Sequence, residues 1–120
     1  MEEYARNEFR IYKVIGKYER NRGDNLCVQL GDFYTGEFKG EEYESNLKLG
    51  NLIDLLEVGD YVNGRLVLAV DYNKQNICLL IPLTDTKANT NIMWYGYEDI
   101  RTILTHELYE ANAYKVKGEW

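Results

Sequence analysis

Residues 49–70 read LGNLIDLLEVGDYVNGRLVLAV, and this stretch decides the fold. An apolar segment ends at Val58 and Gly59-Asp60 makes a turn. Tyr61-Val62 is a short extended step, Asn63-Gly64 makes a second turn, and the unbroken apolar run Leu66–Val70 follows. Two turns around a short extended step, then a run of β-formers, are how a small β-structure reverses its strands. The segment before the turns is ambiguous. Leu49, Leu52, Ile53 and Leu56 recur at helical spacing, which suits a turn of helix, whereas an extended arm fits less well.

Downstream, Asp71–Asn76 is a polar hairpin turn and Ile77–Leu83, ICLLIPL, is the return strand. Unbroken apolar residues on both arms place this hairpin at the centre of the core. Pro82 lacks an N–H, so it belongs at a strand end or edge. Thr84–Asn91 is a polar loop, Ile92–Tyr97 another strand, and Ile100–Leu104 again β-like. Thr105 then caps a short helix with Glu107 in its first turn, where a carboxylate meets the positive helix end. That helix is expected to stop near Asn112, with Ala113–Lys117 as a last strand.

Upstream, the β-branched and aromatic residues of Phe9–Glu19 predict a strand. A basic stripe at Arg6, Arg10, Lys13, Lys17 and Arg20 suits a helix, but Gly16 and the β-formers between 11 and 18 oppose it. Arg20–Asn25 is a turn, and its Arg-Gly-Asp is read as turn chemistry only. Asn25–Leu30 returns as a strand that Gly31-Asp32 breaks, Phe33–Phe38 is a third short strand, and Gly40–Glu44 is an acidic loop. The sum is a mainly β single domain over residues 1–120. It is either a small SH3-like barrel or a curled antiparallel sheet with one short C-terminal helix.

Composition bounds the function. A net charge of -6 disfavours direct nucleic-acid binding, which runs on cationic contacts to phosphate, and permits an acidic surface that meets a basic partner. No apolar run is long enough for a membrane span, and MEEYARNEFR carries no signal-peptide block, so the expected place is the cytoplasm. Cys27 and Cys78 sit between apolar neighbours and read as buried thiols in strands.

Chemistry is sparse. No glycine-rich phosphate loop lies between a strand and a helix. The only histidine, His106, reads as exposed and structural, and the only serine is Ser45. A nucleophile pair has nothing to build on, so no enzyme activity, cofactor or metal is expected. The stretch with binding character is Met93–Asp99. On a strand, Trp94 and Gly96 share one face and Met93, Tyr95 and Tyr97 the other. One set must be core, and the other is a patch rimmed by Glu98 and Asp99. The candidate protein-binding residues are Trp94, Tyr95, Tyr97, Glu98 and Asp99, with Glu41, Glu42 and Glu44 of the acidic segment. The chain's 11 tyrosines add stiff contact area with polar tips.

Val58–Gly64 (VGDYVNG), Ile100–Glu107 (IRTILTHE) and Tyr114–Val116 (YKV) resemble a group of small proteins from phages and mobile elements of low-GC bacteria. The likeness covers the second half of the chain and transfers no functional residue. It implies a small cytoplasmic binder acting on a host protein or nucleoprotein, as an anti-CRISPR inhibitor does. Two other classes compete. One is a sponge for a nucleotide signal, using Arg101 with Trp94 and Tyr97. The other is a structural module of phage assembly.

Overall fold

The structure, a computed structural model, describes residues 2–20, 25–81 and 91–118, with side chains as far as residue 112. The chain divides into two compact units, Met1–Leu55 and Leu56–Trp120.

In the first unit five antiparallel strands run in the order β4-β3-β2-β1-β5. They are β1 (Tyr4–Arg6), β2 (Ile11–Arg20), β3 (Asn25–Asp32), β4 (Phe38–Tyr43) and β5 (Lys48–Gly50). The strand expected over 9–19 is β2, and its basic residues separate as a strand requires. A bulge lies between Val14 and Gly16, so Lys13 pairs with Gly31 and Lys17 with Val28 on opposite faces. Lys13 reaches Glu2 at 3.2 Å and Lys17 reaches Glu3 at 2.9 Å. One cluster of its core is Ala5, Val28 and Leu30, flanked by Tyr12, Val14, Leu47 and Leu49. Each fully buried aliphatic side chain here stabilises by roughly 1.5–3 kcal/mol.

The sequence reading of 31–44 is corrected. Gly31-Asp32 does not break β3, Phe33–Phe38 is not a strand, and the acidic segment is not a loop but β4 followed by a 3-10 turn, Glu44–Asn46. Asp32 moves the reversal one step later. Its Oδ2 accepts the N–H groups of Tyr34 and Thr35 at 2.9 and 2.8 Å, and its own N–H donates to the Glu37 carbonyl at 2.7 Å. The glycine has a packing reason. A Cβ at Gly31 would lie 2.6 Å from the Gly36 carbonyl oxygen, so only glycine lets the turn close over the strand. Positions 21–24 of the expected Arg20–Asn25 turn lie outside the described residues, but β2 and β3 pair as the hairpin that turn predicts.

Leu52–Leu55 is a single helical turn, α1, whereas Leu49, counted in the helical spacing, lies in β5, so the ambiguous segment is part strand and part helix. Arg6 is buried and donates from Nη1 to the Leu55 carbonyl at 2.8 Å. A cation at the C-terminal end of a helical turn satisfies a carbonyl the helix itself leaves unbonded.

The second unit holds β6 (Tyr61–Val62), β7 (Arg65–Asp71), β8 (Asn76–Leu80), β9 (Ile92–Gly96) and β10 (Ile103–Leu104), ordered β10-β6-β7-β8-β9 and all antiparallel. Asn63 and Gly64 have φ of 53° and 77°, the paired left-handed conformation of a two-residue hairpin turn. β7 and β8 form the expected central hairpin, and Val67, Ile77 and Leu79 are fully buried. The return strand is shorter than expected and ends at Leu80. Pro82 and positions 84–90 of the polar loop lie outside the described residues. Of Ile100–Leu104 only Ile103–Leu104 pairs as a strand.

The C-terminal helix α2 runs His106–Gly118, so Ala113–Lys117 is helix rather than strand. Once the first turn is capped, each added residue gains a backbone bond, and Ala111, Ala113, Lys115 and Lys117 favour that state. Of the two β architectures expected, the chain takes the open one: mainly β, with two antiparallel sheets and neither closed into a barrel.

Candidate functional site

The register of the second sheet sorts its side chains. Val67 pairs with Leu79 and Leu79 with Met93, while Val70 pairs with Ile77 and Ile77 with Tyr95, and these define the inward face. A bulge between Val67 and Ala69 leaves Leu68 unpaired. The opposite face carries Ala69, Cys78 and Trp94 as one row and Leu80 beside Ile92 as the next. Trp94 is 49% exposed, Leu80 and Ile92 on the same face are exposed as well, and so is the unpaired Leu68. Cys78, in the same row, is buried. The exposed part of this face, Trp94 with Leu80 and Ile92, is an apolar patch of the kind interaction surfaces use.

The same face holds an unsatisfied acceptor. Asn76 pairs with Gly96 at the end of the β8–β9 ladder. Its Oδ1 is buried with no hydrogen-bond partner, the sole such side-chain atom among the described residues. An orphaned buried acceptor costs about 1–3 kcal/mol.

The expected site residues fall as follows. Trp94 is on the outward face, and Tyr95 lies inward, half-buried beside Ile77. Tyr97 leaves the strand into a 3-10 turn, Tyr97–Asp99, and is 60% exposed at the end of the patch. Glu98 and Asp99 are exposed, but Asp99 is committed to the turn, accepting the Gly96 N–H at 3.2 Å. Arg101 donates from Nη1 to the carbonyls of Glu98 at 2.6 Å and Ile100 at 3.3 Å. One edge of its guanidinium is thus engaged on its own backbone. Glu41, Glu42 and Glu44 belong to the first unit. Tyr18 donates its hydroxyl to Glu41 at 2.7 Å, Glu42 accepts from Asn46 at 2.9 Å, and Glu44 stands 3.8 Å from Lys17. The bond to Glu41, helped by loss of water and by Cys27, pushes the Tyr18 phenol up to about 12.

A second constellation escaped the sequence reading. His106 is not exposed. Its Nε2 lies 2.9 Å from Glu57 Oε1 and 3.5 Å from Glu107 Oε2. Hydrogen bonding to Glu57, opposed by burial and reinforced by the charges of Glu107 and Asp60, raises the imidazole above its ordinary value. Asp60 sets the frame. It is fully buried, accepting the His106 N–H on Oδ1 at 2.9 Å and the Glu57 N–H on Oδ2 at 2.8 Å. Thr105 caps α2 as expected, accepting the Leu108 N–H on Oγ1 at 3.2 Å. Tyr61 and Tyr109 stack with ring centroids 5.0 Å apart and hold α2 against β6. The missed signal was Asp60: an aspartate just after a turn glycine and ahead of a strand has more reason than the turn to be acidic.

No protein-family description, no curated protein and no solved structure matches this chain. Among the described residues no helix is long and apolar enough to cross a membrane.

Proposed function

We propose that this chain is a non-enzymatic protein-binding module that docks a basic protein surface through the outward face of its second sheet. The observation that carries the reading is Trp94, half-exposed on the same face of β8–β9 as the exposed Leu80 and Ile92. Tryptophan in an apolar surround is the commonest anchor of protein interfaces. The net charge of -6 supplies long-range attraction to a cationic partner. The resemblance to phage and mobile-element proteins supports a host target, and a CRISPR-type nuclease has the basic nucleic-acid channel such a protein blocks.

The test is capture from bacterial host lysate on immobilised protein, wild type against Trp94→Ala, at low and high salt. The expected result is a basic protein or nucleoprotein that is retained by the wild type, released by salt and lost with Trp94→Ala. Retention that is indifferent to Trp94→Ala refutes the docking face. A wild type that retains nothing and scatters light as an oligomer moves the reading to an assembly module.

A further inference from the structure

We infer that Glu57, His106 and Glu107 form a binding site for one divalent transition-metal ion of the zinc class, independent of the docking face proposed above. The three donors come from two places in the chain: Glu57 precedes the turn into β6, and His106 and Glu107 open α2. Their ligand atoms all lie within 4.8 Å of one another. Around an ion with bonds of about 2.1 Å to nitrogen and oxygen, neighbouring donors stand about 3.0–3.4 Å apart. The separations of 2.9 and 3.5 Å from His106 Nε2 bracket that range. Converging carboxylates alone are common on surfaces. Here an imidazole nitrogen faces the same point as both.

Charge supplies an independent argument. Glu57, Glu107 and the buried Asp60 bring three carboxylates against one imidazole. With the imidazolium formed, these four side chains by themselves still sum to a negative charge beside the α2 N-terminus. A dication at the Nε2 position replaces the proton and brings that sum one unit closer to neutral. Asp60 is the positioning residue. By accepting the backbone N–H groups of both His106 and Glu57 it fixes two of the three donors before an ion arrives. One nitrogen and two oxygens suit a borderline ion such as Zn²⁺ better than Ca²⁺ or Mg²⁺, which prefer all-oxygen shells. The ligand side chains retain 29–39% of their exposure, which leaves room for water to complete the coordination.

Because His106 is the only histidine in the chain, its imidazole resonances are a unique reporter. The experiment titrates tag-free protein with Zn²⁺, following heat by calorimetry and the His106 ring signals by NMR. Glu57→Gln, Glu107→Gln and His106→Gln run in parallel, with circular dichroism as a check on folding. The expected result is one ion per chain, shifted His106 ring signals, and affinity at least about tenfold weaker in each variant. Absence of a shift in the His106 ring signals at submillimolar Zn²⁺ overturns the site. So does binding that survives in folded Glu57→Gln and Glu107→Gln, since the ion then sits on other acidic groups. The ring readout uses the native chain, so it decides the matter even if His106→Gln fails to fold.

Discussion

Replacing Asp60 by alanine removes more than a surface charge. The carboxylate is fully buried, and each oxygen accepts one backbone N–H, from His106 at 2.9 Å and from Glu57 at 2.8 Å. Its own backbone N–H and carbonyl stay engaged with Glu57 and Val67, so the turn itself survives the substitution. What is lost is the acceptor for two part-buried donors, one of them at the first residue of α2. Each donor left without a partner costs about 1–3 kcal/mol, and releasing a buried charge returns part of the total. The expected net loss is about 3 kcal/mol. For a domain of this size that is a fall in Tm of roughly 10–15 °C. Thermal and urea unfolding of wild type and Asp60→Ala measure it, with Asp60→Asn as the graded control. The amide keeps one acceptor oxygen, so about half the loss is expected. If Asp60→Ala unfolds within about 0.5 kcal/mol of the wild type, the carboxylate is not the joint between the turn and α2 argued here.

Three further outcomes are expected. Asn63→Ala gives up a donor to the Asp99 carbonyl and the acceptor for the N–H groups of Arg101 and Thr102, and forces alanine to φ near 53°. It should cost about 2 kcal/mol in urea unfolding, and Asn63→Gly, free of backbone strain, about half that. Trp94→Ala should leave stability within about 1 kcal/mol of wild type but open its row-mate Cys78 to a chromogenic thiol reagent, while buried Cys27 stays silent. A folded Trp94→Ala with both thiols unreactive contradicts the register. Phenolate absorbance of the wild type minus Tyr18→Phe should titrate near about 12. The folded phenol is raised above its unfolded value, so its bond to Glu41 contributes fully below about pH 10 and is lost as pH rises through about 12. A midpoint near that of a free phenol denies the Tyr18–Glu41 bond.

The turn-and-strand grammar of 49–70 was legible because its signals are local. Asn-Gly between two extended runs dictates a two-residue turn through the conformations those residues tolerate, and the structure has that turn. The segment 31–44 was misread for an equally physical reason. Gly31 looks like a strand breaker in one dimension, but its lack of a Cβ serves the close approach of Gly36, which only the folded chain displays. The cluster at His106 was illegible because its hydrogen-bond partner Glu57 lies 49 positions away in sequence. The outward face of β9 was half legible. Alternation assigned Trp94 and Tyr95 to opposite faces, but only pairing with buried Leu79 and Ile77 says which side is inside.

The way the ladders close has a consequence for how the chain is made. Among the described residues, every strand pairing of the first sheet is complete by Gly50, and every pairing of the second lies between Tyr61 and Leu104. Synthesis at about 5–20 residues per second releases the first sheet's last strand several seconds before the second sheet's. Small sheets form in milliseconds to seconds. The amino-terminal half therefore has time to form its ladders while the carboxy-terminal half is still on the ribosome, and the exposed apolar residues around Trp94 are among the last parts of the protein to emerge.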